Sequence, residues 1–143
     1  MFKNYIWDFD GMLFDSYPHI TSCFIKAMAE DGIAVDYAEA KALFEISYAT
    51  AFKHYGCSDA LINKFDSHES DYNFEPKAVP FKNTAYTLKE IVLSSGHNYL
   101  YTHSDSSALY YLAKYSLIEL FDGFVTSVNG FPGKPAPDAL NYI

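Results

Sequence analysis

Asp8 and Asp10 stand one residue apart at the end of the apolar run Tyr5-Ile6-Trp7, and Gly11 follows at once. Residues two apart on a strand share a face, so the two carboxylates start out aligned. Gly11 then permits a sharp turn that can carry Asp10 away from the direction in which Asp8 points. Unpaired, the two charges repel each other and are costly to bury. A divalent cation resolves that conflict, and hard carboxylate oxygens suit Mg²⁺. The bland alternative is a pair of solvated turn aspartates. Against it stands the run that leads into them, short and apolar on both sides of the pleat, as in a buried central parallel strand. The carboxyl end of such a strand is where open α/β sheets bind ligands.

The rest of the chain must supply the elements that hold this pair. After Ser16 the pattern turns helical. Pro18 suits a first helical turn, and Ile20, Phe24 and Met28 recur at helical spacing with Cys23 and Ala27 beside them. Gly32 is placed to end that helix. Asp36 with Glu39 resembles a capping box for a second helix, running to about Phe44. A third carries Ala51, Phe52 and Tyr55 and stops at Gly56; Ser58 can cap a fourth containing Leu61, Ile62 and Phe65. No strand is expected between Ser16 and Phe74. The two prolines of Glu75-Pro76-Lys77-Ala78-Val79-Pro80 make that stretch a linker. A helix resumes from Asn83 or Thr84 to Ser95, and residues 98–102 form a second strand. Ser104, Asp105 and Ser106 crowd the start of the next helix, which suits an N-cap. Residues 123–127 form a third strand, and after a loop a last helix begins near Asp138. Strands alternating with helices predict an α/β fold with right-handed crossovers and a parallel sheet. The core is expected at 1–16 and 79–143. The all-helical insertion, 17–78, leaves and returns beside the Asp8/Asp10 end and is expected to lie over it like a lid.

Composition narrows the function. Half of the 143 residues are apolar, which describes a globular chain and not a disordered one. The formal net charge of −8 argues against nucleic acid or an anionic membrane as a partner. A phosphorylated substrate would have to be attracted locally, by a metal or a lysine. Cys23 and Cys57 are far apart, show no metal-ligand spacing, and lie in helical patterns; buried free thiols in a reducing compartment are expected. No signal-peptide pattern and no apolar run of membrane-spanning length is present, so the expected location is cytoplasmic.

Three stretches together resemble one known family. Asp8-Phe9-Asp10-Gly11-Met12-Leu13-Phe14-Asp15-Ser16 is similar to the first motif of the haloacid dehalogenase superfamily, in the branch of phosphoglycolate phosphatase and β-phosphoglucomutase. Leu100-Tyr101-Thr102-His103-Ser104 resembles the second motif, and Gly133-Lys134-Pro135-Ala136-Pro137-Asp138 the third. The resemblance implies a Rossmann-like three-layer core with an inserted helical cap. It also implies a Mg²⁺-dependent phosphatase acting on a small phosphorylated metabolite. Asp8 is then the nucleophile that forms an aspartyl-phosphate, and Asp10 the acid that protonates the leaving oxygen and later deprotonates water. Mg²⁺ is held by the Asp8 carboxylate and the Asp10 main-chain carbonyl. Thr102 and Lys134 bind the phosphoryl oxygens, with main-chain N–H groups around Gly11 and His103 completing the cradle.

Each assignment has a plainer counterpart. Lys134 alone reads as a surface charge, though Gly133 and Pro135 place it in a shaped loop. Thr102 alone is an ordinary strand residue, and His103 a loop histidine. Asp15 and Ser16 fit a cap hinge or simple helix capping. His19 and Lys53 are cap residues that could touch substrate, while the tyrosines after Ser106 read as packing. The sequence also departs from the family pattern. Met12 stands where phosphatases usually carry Thr. After Asp138 only Ala139-Leu140-Asn141-Tyr142-Ile143 follow, with no fourth strand and no fourth-motif acid. The first strand is then expected to become an exposed sheet edge, covered by further chain in a protein of roughly 200 residues or by a second copy. Asp105 or Asp15 could also stand in as metal ligand. The alternatives to a phosphatase are a phosphomutase of the same branch and a catalytically incomplete phosphate-binding domain. A receiver-type signalling domain is disfavoured by the order of the elements.

Overall fold

The structure, a computed structural model, describes residues 3–143. The chain divides into two compact units: Pro80–Ile143 joined by the chain up to Asp15, and Ser16–Val79.

The first unit is built on a parallel sheet of β1 (Asn4–Trp7), β4 (His97–Tyr101) and β5 (Gly123–Val125), in the order β1-β4-β5. Two further short strands, β2 (Phe14–Asp15) and β3 (Val79–Pro80), pair separately. Helices α5 (Thr84–Leu93), α6 (Ser107–Lys114) and α7 (Asp138–Tyr142) complete this unit. Trp7 is in register with Leu100, and Leu100 with Phe124. The three strands therefore finish almost level, and Asp8, Thr102 and Thr126 all emerge from the same end of the sheet. This is the parallel α/β architecture that the alternation of strands and helices predicts.

Two expectations about this unit need correction. β1 is not buried on both faces: along it exposed and half-buried residues alternate, and Ile6 is 45% exposed. The cause is topological, since among the described residues no strand pairs with its outer edge and β4 takes the central place. The segment read as pure linker also contains β3. Two-residue strands carry too little periodicity to be visible in a sequence.

Asn98 ties the sheet to its surroundings. It is fully buried in β4, yet its side chain is well partnered. Its Oδ1 accepts from the Trp7 indole N–H at 2.9 Å, and its Nδ2 donates to the Leu88 and Leu120 carbonyls at 3.2 and 3.0 Å. A buried amide so satisfied fixes β1, α5 and the 3-10 turn at Ile118–Leu120 against β4.

The turn that leaves β1 is tight. The Phe9 carbonyl accepts from both the Leu13 and Phe14 N–H groups at 3.1 Å, and Gly11 N–H donates to the Phe14 carbonyl at 2.9 Å. Gly11 sits at φ +68°, a left-handed conformation that a Cβ disfavours. Phe9 and Phe14 stack at 4.5 Å and pack against Tyr111 of α6. All three are buried; burying rings of this size contributes about 1.5–3 kcal/mol each. That packing makes the turn after β1 a rigid platform.

The second unit contains α1 (Tyr17–Glu30), α2 (Tyr37–Ile46), α3 (Tyr48–His54) and α4 (Asp59–Glu69), with no strand before Val79. Its core is the stripe Ile20, Cys23, Phe24, Ala27 and Met28 of α1 against Phe44 and Phe65. The Asp36 side chain accepts from the Glu39 N–H at 2.9 Å, as a capping residue should. Gly32, at φ +73°, ends α1 as its position predicts. Cys23 is buried, and burial pushes its thiol up to about 12. Cys57 lies past the end of α3, not in a helix, and is half-buried.

Candidate functional site

Asp8 leaves the end of β1 with its carboxylate anchored. Oδ1 accepts from the Phe9 N–H at 2.8 Å, and Oδ2 lies 2.9 Å from Lys134 Nζ. Lys134 is 126 positions further along the chain, on the loop that follows β5. Its ammonium also sits 4.7 Å from the centroid of the Tyr101 ring, a cation–π geometry. β1, β4 and the loop after β5 thus each contribute to holding one charge pair. Both side chains remain partly open to solvent, Lys134 at 32% and Asp8 at 43% exposure, so a ligand can reach them.

Asp10 is held differently. Its Oδ2 accepts from the Ser104 hydroxyl at 2.5 Å. Ser104 is itself pinned: its N–H donates to Thr102 Oγ1 at 3.1 Å, and its carbonyl accepts from the Ser127 N–H at 3.0 Å. Thr102 is 1% exposed, and its N–H donates to the Val125 carbonyl. The two aspartates are therefore unequal. Asp8 is paired with the Lys134 cation, and Asp10 accepts from the Ser104 hydroxyl. A carboxylate held in place by a hydroxyl is oriented for proton transfer.

Ser104 is the residue that sequence reading misplaced. It reads as one of three residues crowding a helix start; the N-cap position is Ser106, and Asp105 Oδ1 accepts from the Ser107 N–H at 2.7 Å, while Ser104 turns to Asp10. The signal available was its position two residues past Thr102, where a turn can fold it back beside the strand end. His103 presents its Nε2 to the Lys134 main-chain N–H at 2.9 Å, and Gly11 provides the left-handed turn beneath Asp10. The structure thus brings Asp8, Lys134 and His103 into one connected set, and Asp10, Ser104 and Thr102 into another. His19 and Lys53 belong to the helical unit. His19 is buried and its Nδ1 is 2.8 Å from the Pro76 carbonyl, while Lys53 is exposed on α3. The tyrosines after Ser106 pack, as expected: Tyr111 lies against Phe14 and Tyr115 edge-on to it.

The donor set can be tested against Mg²⁺ on its own chemistry. A carboxylate offers about four lone-pair sites, and the described partners of Asp8 take two of them. Mg²⁺ is commonly bound through one or two carboxylates, with waters and a substrate phosphate completing its octahedron. The partly exposed Asp8 fits that pattern. No group of three or more His, Cys, Asp or Glu side chains placed to hold a metal occurs among the described residues, so any shell here leans on main-chain, water and substrate oxygens. A separate cavity of about 390 Å³, lined by Trp7, Met12, Leu13, Phe81, Thr84 and Leu88 among others, includes none of these carboxylates. The site is a partly open surface constellation and not that cavity. No helix among the described residues is long and apolar enough to cross a membrane.

Comparison with known proteins gives a consistent result. The family model for haloacid dehalogenase-like hydrolases matches residues 5–143. A hydrolase from Streptococcus pneumoniae TIGR4 is similar at 27% identity and a TM-score of 0.68, over 99% of this chain and 75% of that one. A predicted phosphoglycolate phosphatase from Haemophilus somnus 129PT aligns with a TM-score of 0.75 at 17% identity, over 99% and 69%. A haloacid dehalogenase-like family hydrolase from Streptococcus pneumoniae aligns with a TM-score of 0.78 at 21% identity, over 99% and 70%. No curated protein matches the chain significantly.

Proposed function

Because the chain belongs to the haloacid dehalogenase-like hydrolase family, we propose that it hydrolyses a small phosphate monoester through an aspartyl-phosphate on Asp8. The observation that carries the reading is the 2.9 Å approach of Lys134 Nζ to Asp8 Oδ2. A cation placed there neutralises the nucleophile's surroundings against an incoming dianion. In a protein of net charge −8, it is also the local attraction that such a substrate needs.

In the first half-reaction an Asp8 carboxylate oxygen attacks phosphorus and the ester P–O bond breaks. Asp10, oriented by the hydroxyl of Ser104, gives its proton to the departing oxygen. In the second, Asp10 takes a proton from water as that water attacks the phosphoryl group, and the Asp8 carboxylate is released. The Lys134 ammonium and the Thr102 hydroxyl stabilise the oxygens on which charge gathers. Main-chain N–H groups around Gly11 and His103 add to the same cradle. Mg²⁺, held by the Asp8 carboxylate and the Asp10 main-chain carbonyl, would neutralise charge between nucleophile and phosphate. The helical unit is the cap in this reading, and the substrate is a small phosphorylated metabolite.

The test is Asp8→Asn. Phosphate release from p-nitrophenyl phosphate with Mg²⁺ should vanish in the variant, and turnover at the wild-type rate would sink the mechanism. A second reading, a domain that binds phosphate without turning it over, draws on the small acidic donor set described above. It is distinguished by saturable binding of Mg²⁺ with BeF₃⁻ in a protein that releases no phosphate.

A further inference from the structure

We infer that His103 is a positioning residue for Lys134: its neutral imidazole, protonated on Nδ1, accepts the Lys134 main-chain N–H and so fixes the loop that delivers the ammonium to Asp8. Its role in turnover rests on the phosphatase reading above; the tautomer does not.

Three observations converge. The turn that carries His103 is immobilised on both sides, by the bond from Ser104 N–H to Thr102 Oγ1 and by the bond from Ser127 N–H to the Ser104 carbonyl. From that fixed base, Nε2 reaches 2.9 Å from the Lys134 nitrogen. The ring also lies against Gly133: a Cβ there would come 3.5 Å from Nε2 and 3.9 Å from Cε1, ordinary contact distances that show loop and ring packed together. The other end of the same lysine is held between Asp8 Oδ2 and the Tyr101 ring. His103 meets that ring edge-on, with centroids 6.5 Å apart. Lys134 is thus gripped at its backbone by His103 and at its head by Asp8 and Tyr101.

The chemistry of the grip dictates the state of the imidazole. A main-chain N–H can only donate, so Nε2 must present its lone pair and the ring hydrogen must sit on Nδ1. An imidazolium would oppose two donors across the bond and set a second positive charge beside Lys134. A long, flexible lysine loses rotamer entropy when its head is fixed, and anchoring its backbone on a pinned turn reduces the part of that cost left to be met when substrate binds.

The test has an arm that needs no activity. In the protein with ¹⁵N-labelled histidine, long-range ¹H–¹⁵N NMR at neutral pH should give His103 as the neutral Nδ1–H tautomer. An Nε2–H tautomer or an imidazolium would overturn the assignment. The second arm is kinetic. His103→Phe keeps a flat ring of similar bulk without an acceptor, and should lower kcat/KM by about tenfold, the scale of one lost hydrogen bond. His103→Gln places a carbonyl oxygen near the Nε2 position and should retain most of the activity. In a Lys134→Ala background, His103→Phe should have no further effect, because its influence passes through Lys134. Equal losses for Phe and Gln, or losses that add to that of Lys134→Ala, would overturn the positioning role. A wild type that hydrolyses no phosphate ester would remove the phosphatase reading, and the tautomer would still decide whether His103 holds the loop.

Discussion

Replacing Lys134 by Ala separates catalysis from stability, and the structure sets the size of each effect. Lys134 Nζ and Asp8 Oδ2 are 2.9 Å apart. At an effective dielectric of about 20 that distance corresponds to a bare attraction of roughly 6 kcal/mol. Very little of this survives as net folding energy. Both side chains are about a third or more exposed, so hydration and salt compete for the charges, and ordering a lysine costs entropy. Pairs of this kind are worth about 0–1 kcal/mol. In a chain of this size that is a fall in melting temperature of at most about 4 °C. Turnover answers to a different quantity, the charge that gathers on the transferring phosphoryl group. Losing one preorganised group that stabilises developing charge costs about 10²–10³ in kcat. The expected variant is therefore folded, nearly as stable as the parent, and slower by two to three orders of magnitude on that scale. Thermal unfolding by circular dichroism and steady-state phosphate release, run on the same preparation, read both numbers. An unchanged kcat would refute the catalytic argument. A large fall in melting temperature would refute the claim that the pair is weak in folding.

Other residues give outcomes of different kinds. Ser104→Ala removes the hydroxyl that orients Asp10, a hydrogen bond to a charged group worth about 1.5–3 kcal/mol; kcat should fall about 10–100-fold, and Ser104→Thr should restore most of it. Gly11→Ala forces a Cβ into the left-handed turn at φ +68° and should destabilise the protein by about 1–2 kcal/mol in urea titration. For Cys23, burial raises the folded-state thiol to about 12, while an unfolded thiol titrates near its ordinary value of about 8.5. The stability it contributes is fully present below the unfolded value and is lost as pH rises from there towards 12. Unfolding free energy should decline through that window by up to about 1.4 kcal/mol per pH unit from this group, and Cys23→Ala should flatten the decline.

The architecture was legible in the sequence because its signals are local. Apolar runs broken by Gly32 and the proline-rich stretches mark where strands and helices alternate, and alternation implies a parallel sheet. Asp36 with Glu39 marked a cap that the structure contains. What escaped is non-local. The apolar run of β1 suggests burial on both faces, and its periodicity does not say which neighbours stand at its edges. The edge position is expected only from the missing fourth strand, and β1 does lie at the edge of the order β1-β4-β5. Asn98 looks like an unremarkable polar residue at the start of a strand. Its role comes from three partners, among them the Trp7 indole 91 positions away. Ser104 and His103 are clearer cases still. Their types were visible, but the bonds to Asp10 and to the Lys134 backbone span 94 and 31 positions, and no spacing rule predicts them.

The central claim is that Asp8 takes the phosphoryl group. The direct measurement is peptide mass spectrometry on protein mixed with a phosphate monoester and Mg²⁺ and quenched in acid during turnover. The account predicts one phosphoryl group on the peptide that contains Asp8, and none in Asp8→Asn. Sustained turnover with no phosphoryl on Asp8, or with the group on another residue, would contradict it.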